Sequence, residues 1–533
     1  MRSHKVVWQK KGFLALFFGL GMLLVLLGLT AIAEETIPLP DEEQILVFAT
    51  GTQPDSIDPA LEKDAPTTHI IRPTYEGLLR NPTGTTDLEP CLAVSWEVSD
   101  DGLSYTFNLR TGVRFHDGDV LDAFAIKDSF DRWMKIGLGA SNVLKSVASV
   151  EVVDSDTVTF NLSKPYPDFL QALTRLMIVS PAAVKAHEKD GDLAQGWLSD
   201  HEAGTGPFKL QRWEKGQVIT LVRNDDYWAP WTGPHLKKLL FQFVPEPATQ
   251  KLLLLRGEVR YADFLSADDA NELKENPDFV VYPCPSLSLI YIAMNTNSGP
   301  TADVNLRKAI AYAFDYETYS SQIMKGWSVP PNGPLPTGYS ENFPDMPRFK
   351  RNMEHAREFL AKSAYPEGGI KLTFVYVAGY DRYRQLGELL RSNLAELNID
   401  VALSPQPWAT LTKISTTPDM RPDLLEYGYS AEMPSAFSYL YGMYHSDTGH
   451  WAQFGYKNAE VDRLLDRAQS MTHVSERAVA LQEVQRILIN DMPQIFVEER
   501  TEWRIFNAQV KGFVYDPAWY LWPNWRDMYL VSK

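Results

Sequence analysis

The stretch Glu426–Phe437, EYGYSAEMPSAF, combines aromatic and small residues with an acid, Glu432, that stands between two apolar neighbours. A carboxylate in apolar surroundings must reach water or meet a cation or a hydrogen-bond donor. Trp408 lies upstream in PQPWATL, so we expect indole and phenol rings near this acid. Aromatic walls with a fixed carboxylate favour a pocket for an organic ligand that carries an amine. The alternative interpretation is a solvent-facing loop acid beside ordinary core aromatics.

Patterns typical of catalysis or metal binding are incomplete. Gly428-Tyr429-Ser430-Ala431 begins like a nucleophile elbow, but Glu432 stands where G-x-S-x-G requires its second glycine. His445 and His450 could bind a metal, yet the chain has no H-E-x-x-H motif and no closely spaced cysteine pair. We therefore predict no catalytic residue, no metal and no cofactor. A secreted hydrolase that uses the His445 cluster or a carboxylate pair remains an alternative.

The elements that must position these residues differ between the two parts of the chain. The first part is rich in alternating apolar and polar residues separated by turn signals such as Asp100-Asp101-Gly102, which predicts hairpins. Its predicted elements are a strand at Ile45–Thr50, a helix at Thr67–Arg80, a hairpin over Ser149–Leu162 and two strands about Glu214-Lys215-Gly216.

Beyond about Tyr291 longer helical patterns alternate with short strands. Strand, helix, strand is the unit of a parallel sheet, and it is predicted here with Asp381 as the helix cap. The predicted elements are helices at Asn305–Met324, from Asp381, at Glu460–Gln469 and at Ser475–Asn490, with strands at Lys371–Val377 and Ile399–Leu403.

The composition is that of an acidic globular protein. Its 533 residues exceed what one core can organise, which indicates two or three domains. A formal charge of −17 is a poor match to nucleic acid, whose phosphates attract basic surfaces. The two cysteines, Cys91 and Cys284, leave a disulfide bridge and two separate buried thiols equally open.

The amino terminus has the pattern of an export signal. The basic start MRSHKVVWQKK precedes an apolar run from Gly12 to Ala31, and small residues then lead to Glu34. We expect cleavage after Ala33. The run of about 20 residues is also long enough to span a bilayer, so a membrane-anchored sensor or scaffold is the alternative. No cysteine follows this run before Cys91, so we expect no lipid anchor.

Eight motifs, taken in order, resemble those of the extracytoplasmic solute-binding proteins of peptide-type ABC importers, family 5, the dipeptide- and oligopeptide-binding group. The resemblance covers nearly all of the chain after residue 33. The motifs are SIDPAL (56–61), YEGLL (75–79), LAVSWEVSDDGLSYTFNLRTGVRFHDG (92–118), GTGPFKL with RNDDYW (204–228), MNTNSGP with NLRKAIAYAFD (294–315), GPLPTG (333–338), GYKNAEVDRLLDRA (455–468) and MPQIFVEE (492–499).

This resemblance implies an α/β fold of two lobes joined by two crossovers, a periplasmic binding protein of type II (cluster C). An extra β-rich subdomain is expected in lobe I. The implied division is a signal peptide at 1–33, lobe I at 34–288 with the inserted subdomain at about 80–200, lobe II at 289–509 and a return to lobe I at 510–533. The change from hairpin patterns to longer helical patterns near Tyr291 agrees with the position of the first crossover.

The resemblance also implies residues of a ligand pocket. Peptide binders of the family place an aspartate in a G-W-x-x-D stretch, where it pairs with the α-amino group of the peptide. That stretch reads Gly428-Tyr429-Ser430-Ala431-Glu432 here, with glutamate for aspartate, and an upstream family tryptophan matches Trp408. With a glutamine from the loop TQPDSIDPA, the candidate ligand-binding residues are Glu432, Tyr429, Trp408, Gly428 and Gln53.

One departure concerns the arginine that binds the ligand carboxylate in dipeptide binders. Its place is taken here by Val377-Ala378-Gly379, while Arg382 and Arg384 lie on an expected helix start. The resemblance therefore does not imply strict dipeptide recognition. Longer peptides, amine-bearing metabolites and sugars remain open.

The predicted function is the substrate-binding component of an ABC transporter and not an enzyme. It captures a peptide or a similar amine-bearing or sugar-like solute between two lobes by hinge closure and delivers it to a membrane permease. We expect a periplasmic or otherwise extracytoplasmic monomer that has no nucleic-acid partner and is not a lipoprotein.

Overall fold

The computed structural model describes residues 37–533 except for 63, 64, 264, 344, 345, 347, 432, 449–453, 472, 473 and 520–522. Pro38–Lys533 forms one compact unit, to which the following description refers. The predicted export signal lies outside the described residues.

The strands belong to one large sheet, one four-stranded sheet and two short pairs. In chain order they are β1 (Ile45–Thr50), β2 (Leu79–Arg80), β3 (Glu89–Pro90), β4 (Ala93–Val98), β5 (Ser104–Leu109), β6 (Val147–Asp154), β7 (Thr157–Leu162), β8 (Phe208–Glu214), β9 (Val218–Arg223), β10 (Lys238–Phe243), β11 (Tyr261–Ala262), β12 (Phe279–Met294), β13 (Ser328–Val329), β14 (Ile370–Val377), β15 (Ile399–Gln406), β16 (Leu424–Ser430), β17 (Gln494–Asn507), β18 (Val510–Lys511) and β19 (Tyr529–Leu530).

The longer helices lie mainly in the second half of the chain. In chain order the helices are α1 (Ala65–Thr74), α2 (Ala123–Ile136), α3 (Phe169–Ala172), α4 (Pro181–His187), α5 (Gln195–Leu198), α6 (Pro247–Leu255), α7 (Ala267–Lys274), α8 (Val304–Ala313), α9 (Tyr316–Thr318), α10 (Met353–Lys362), α11 (Asp381–Ala395), α12 (Trp408–Thr416), α13 (Ala436–Tyr444), α14 (Ala459–Gln469) and α15 (Val474–Asp491).

The large sheet has the order β15-β14-β16-β12-β17-β11-β1-β10-β9-β8, with β13 paired to β17. Strands β14 and β15 are parallel and are connected through α11, which confirms the predicted parallel unit. At the other end, β1 is parallel to both β10 and β11. The two ends of the sheet belong to different lobes. The end around β1 belongs to lobe I, and the end around β14 belongs to lobe II.

Strands β12 and β17 belong to both lobes. In lobe I, Phe279–Pro285 pairs with Thr501–Asn507, and in lobe II Leu289–Ala293 pairs with Gln494–Glu499. The ladder shifts register just after Pro285, a residue that has no N–H to donate. Both chain crossovers pass through this interruption, so it is the natural position for a hinge between the lobes.

A four-stranded antiparallel sheet, β4-β5-β7-β6, forms a separate layer in the first part of the chain. The alternation predicted for β5 is present, since Tyr105, Phe107 and Leu109 are buried. They share a core with Trp133 of α2 and Phe169 of α3. This sheet with its helices is the β-rich subdomain.

Several predicted turns and strands are confirmed. The hairpin β4–β5 turns at Asp100-Asp101-Gly102, where Gly102 has φ = 67°, a conformation that glycine adopts without a steric penalty. The hairpins β6–β7 and β8–β9 and the strands β1, β14 and β15 also lie where the sequence predicts them. Helices α14 and α15 agree with their predicted ranges to within one residue.

Three details of the sequence interpretation were wrong. Helix α1 ends at Thr74, because Pro73 occupies its last turn and the chain continues into strand β2. Helix α8 ends at Ala313, where Phe314 turns to extended backbone before the short helix α9. Asp381 does not cap α11, because its carboxylate instead accepts hydrogen bonds from side chains one turn further along the helix.

The cysteines are separate thiols, because Cys91 and Cys284 are both buried and free. The division into 34–288, 289–509 and 510–533 stays a prediction. Sheet pairing places Thr501–Asn507 beside lobe I strands, so we put the second crossover near residue 500 rather than 509.

Candidate functional site

A cavity of about 790 Å³ lies between the β-rich subdomain of lobe I and lobe II. This volume is within the range of about 300–1,000 Å³ that is typical of small-ligand sites. Lobe I contributes the segments around β6 and β7, and lobe II contributes the end of β16 and helices α12 and α13. The lining residues are Asn142, Val143, Lys145, Ser146, Lys164, Tyr166, Trp408, Gly428, Tyr429, Ser430, Met433, Phe437, Ser438, Tyr441, Gly442, Thr448 and Gln469.

The lobe II wall is largely aromatic and includes three of the predicted site residues. Trp408 starts α12 and is 54% exposed, an unusually open position for an indole. The ring of Tyr429, on β16, packs edge-on against Tyr439 with centroids 4.8 Å apart. A Cβ atom at Gly442 would lie 2.6 Å from the Tyr429 hydroxyl, so glycine in α13 is what admits this phenol. The wall is therefore held rigidly on a strand and a helix.

Gly428 allows close backbone packing at the same wall. It pairs with Ile290 of β12, and a Cβ atom at Gly428 would lie 2.9 Å from Cδ1 of that isoleucine. A larger residue would require the Ile290 side chain to move. Gly428, Tyr429 and Trp408 thus meet at one cavity, as the sequence interpretation requires.

The other two predicted site residues are not placed at this cavity. Glu432 lies outside the described residues, although Ser430 and Met433 on either side of it line the cavity. Gln53 lies elsewhere in lobe I, where its side-chain oxygen accepts a hydrogen bond of 2.8 Å from the backbone N–H of Gly216. Their roles as ligand-binding residues stay predictions.

The two lobes touch beside the cavity. The Asp168 carboxylate of lobe I accepts hydrogen bonds from the hydroxyls of Ser435 (2.5 Å) and Ser438 (2.7 Å), at the start of α13. Burial raises the pKa of Asp168, and the two hydroxyls oppose that rise. Met433 of lobe II is buried in the core of the subdomain, close to Phe169. The structure is therefore one in which the lobes are closed on each other.

A second cavity of about 510 Å³ lies on the other side of this contact. Its lining is more polar and includes Asp87, Asp168 and Glu341 together with Arg477. Sequence analysis did not single out these residues or the lobe I side of the first cavity. The only signal for the contact was Ser435, which has the spacing of a helix cap and does cap α13.

Arg382, one of the two arginines near the expected carboxylate site, does not line the first cavity. It is half-buried next to Tyr383, whose hydroxyl accepts a hydrogen bond of 3.1 Å from its guanidinium. Nearby is Glu426, which is 1% exposed; burial raises the pKa of Glu426 to about 7, while Arg382 and Arg500 lower it. These charges form a cluster that does not line the first cavity and that includes Arg500 of the crossover strand β17.

The histidine cluster does not form a recognisable metal site. His445 approaches Asp466 at 3.2 Å and stacks on Tyr441, while His450 lies outside the described residues. Among the residues that the structure describes, no group of three or more His, Cys, Asp or Glu side chains could hold a metal ion. In the part of the chain that the structure describes, no helix is both long and apolar enough to cross a bilayer.

Comparison with known proteins agrees with this two-lobe architecture. A probable D,D-dipeptide-binding periplasmic protein of Escherichia coli K12 is 30% identical over 483 residues, 89% of this chain and 92% of the relative. Heme-binding protein A of Haemophilus influenzae is 28% identical over 504 residues, 89% of this chain and 90% of the relative.

Solved structures share the fold over nearly the whole chain. The ABC transporter-associated periplasmic binding protein DppA of Helicobacter pylori, in complex with the peptide STSA, superposes with a TM-score of 0.78 at 26% identity. The match covers 92% of this chain and 98% of that one. The fold and the inter-lobe cavity together define a two-lobe solute-binding protein of the kind that serves ABC importers.

Residues 87–451 match the model of the bacterial extracellular solute-binding proteins, family 5. The chain belongs to this family, which confirms the resemblance seen in the motifs. It is a family of binding proteins and not of enzymes, so the hydrolase alternative has no support.

Proposed function

We propose that this protein captures a peptide or a closely related small solute in the cavity between its lobes and presents it to an ABC permease. The observation that carries the proposal is the cavity itself, which takes its walls from both lobes. A ligand stabilises a closed form only if it contacts both lobes, and this cavity provides for that. The names of the relatives, which describe binders of D,D-dipeptides and of the peptide STSA, support a peptide ligand.

Within the cavity we assign Trp408 and Tyr429 to apolar contact with the ligand and Gly428 to close backbone approach. We assign Glu432 to the ligand's amino group, because it belongs to the same chain segment as the lining residues Ser430 and Met433. Amine-bearing metabolites would satisfy the same acid, and sugar-like solutes would use the aromatic faces alone.

We expect Glu432→Ala to weaken peptide binding by about 1.5–3 kcal/mol, the cost of losing a charge-assisted hydrogen bond. Native mass spectrometry of protein purified without refolding would identify a bound solute, and calorimetry with that solute would measure the change. Glu367→Ala is the matched control, because Glu367 is exposed and does not line the cavity. Unchanged affinity in Glu432→Ala would remove this residue from the site, while binding to the parent protein would still support solute capture.

We further propose that the protein acts as a periplasmic or extracytoplasmic monomer, released by cleavage after Ala33 and without a lipid anchor. The basic, apolar and small-residue order of residues 1–33 supports this proposal. The expected result is that amino-terminal sequencing of the exported protein starts at Glu34. A start at Met1 would favour the membrane-anchored sensor instead.

A further inference from the structure

Two lysines of lobe I, Lys145 and Lys164, lie on the wall of the inter-lobe cavity opposite the aromatic wall. Lys145 follows the turn before β6, and Lys164 comes shortly after β7. No acidic residue is present among the described residues that line this cavity. In a chain with a formal charge of −17, a cavity with two cations and no described carboxylate is a marked local exception.

The two lysines flank the open end of the β6–β7 hairpin. Strands β6 and β7 are antiparallel, with Val147 opposite Leu162. The pairing continues one step further, where the backbone N–H of Ser163 donates to the carbonyl of Ser146 at 2.7 Å. Lys145, which has helical backbone at the end of the preceding turn, and Lys164 are the next residues on either side of this pair, and both line the cavity.

Both lysines are exposed at the cavity, and two cations there attract an anionic group of a ligand. In the described part of the chain neither lysine forms an ion pair with an Asp or Glu side chain. Among the described residues, the ammonium of Lys164 donates one long hydrogen bond, 3.4 Å, to the side-chain oxygen of Gln469 across the cleft. An anionic group of the ligand would give both ammonium groups a charge-assisted hydrogen bond.

We propose that Lys145 and Lys164 form a carboxylate site for the captured solute, so that the ligand class is a peptide or amino-acid-like solute with a free carboxyl terminus. This inference rests on the proposed function and adds a recognition element in lobe I. The ligand's anionic end then lies against the subdomain, and its apolar body lies against Tyr166 and Trp408. Binding of the carboxylate by lobe I and of the rest by lobe II is the arrangement that favours closure.

The test compares peptides with free and amidated carboxyl termini. The dipeptides Met-Leu and D-Ala-D-Ala and the tetrapeptide Ser-Thr-Ser-Ala would be measured as acids and as C-terminal amides by calorimetry. For the parent protein we expect the amide of each bound peptide to bind about tenfold to a hundredfold more weakly than the acid, the effect of one or two charged hydrogen bonds. In the double variant Lys145→Met with Lys164→Met, the acid and the amide should bind equally.

The control double variant is Lys185→Met with Lys189→Met, which makes the same charge change at exposed positions of lobe I away from the cavity. It should retain the preference for the acid, as should Lys145→Arg with Lys164→Arg. Equal binding of acid and amide to the parent protein would overturn the carboxylate site and leave peptide capture intact. Binding of none of these peptides, as acid or amide, would overturn the proposed peptide function and the inference with it.

Discussion

We assign different roles to Glu426 and Glu432, the two glutamates of one twelve-residue stretch. Glu426 lies within β16 and is buried against the backbone N–H of Val377, which donates to it at 3.4 Å. Glu432 follows the end of the same strand, and we assign it to the ligand. Glu426 is buried because β16 is paired on both sides and all four residues from Leu424 to Tyr427 are buried. The acid with the perturbed pKa is therefore a structural residue next to the crossover and not part of the cavity wall.

We expect Glu426→Gln to change how stability depends on pH. Burial raises the pKa of Glu426 from its usual 4.5 to about 7, so the folded state binds this proton more tightly than the unfolded chain does. The stability that this gives is fully present below pH 4.5 and is lost as the pH rises through about 7. At pH 8 the variant should therefore be more stable than the parent by up to about 3 kcal/mol, a difference that vanishes at low pH.

Urea unfolding at pH 4.5 and pH 8 measures this difference. Glu367→Gln, at an exposed position, should have the same free energy of unfolding as the parent protein at each pH. If Glu426→Gln were as pH-dependent as the parent protein between these values, the raised pKa of Glu426 would be ruled out.

Helix α13 combines three tasks that set the geometry of the cleft. Its cap, Ser435, accepts a hydrogen bond from the backbone N–H of Ser438 and also donates to Asp168 of the opposite lobe. One turn further on, Gly442 makes room for the Tyr429 hydroxyl. The helix therefore links the contact between the lobes, at its beginning, to the shape of the ligand wall, near its end.

We expect Ser438→Ala to weaken ligand binding by about tenfold with little change in the melting temperature of the ligand-free protein. The substitution removes a hydrogen bond to a buried carboxylate that joins the lobes, and it leaves the Ser435 cap in place. Calorimetry and thermal melting measure the two effects. Ser363→Ala, at the end of α10 and away from both cavities, is the control and should leave affinity unchanged. A loss of stability without a loss of affinity would show that the Asp168 contact does not contribute to closure.

At the scale of the whole molecule, β12 and β17 connect the lobes through one interrupted ladder. Rotation about the break after Pro285 separates the cavity walls without disturbing either half of the sheet. Shifting a 1:99 mixture of closed and open forms to 99:1 takes about 5.5 kcal/mol of differential binding. Two charged contacts on opposite lobes with aromatic burial between them are of this magnitude.

We therefore expect the radius of gyration, measured by X-ray scattering, to decrease when a bound peptide saturates the protein. The decrease should be smaller at the same peptide concentration in Ser438→Ala, because the closed form has lost one contact between the lobes. An unchanged radius of gyration at saturation would contradict hinge closure as the mechanism of capture.

The sequence by itself determined the family, the two-lobe architecture and the strands whose patterns are local. The alternation in β5 and the glycine turn at Gly102 depend on neighbours in the chain, so their structure follows from residues close in sequence. The lobe II wall also followed from sequence, since Gly428 and Tyr429 are adjacent and a motif matched Trp408.

Only the tertiary structure decided what faces the lobe II wall. Lys145 and Lys164 reach the same cavity from the open end of the β6–β7 hairpin, and Asp168 meets Ser438 across 270 positions of chain. The break in β12 is visible only once its partner β17 is known. Such contacts form between residues that are far apart in sequence. No local pattern of residues predicts them, because they depend on how distant segments pack.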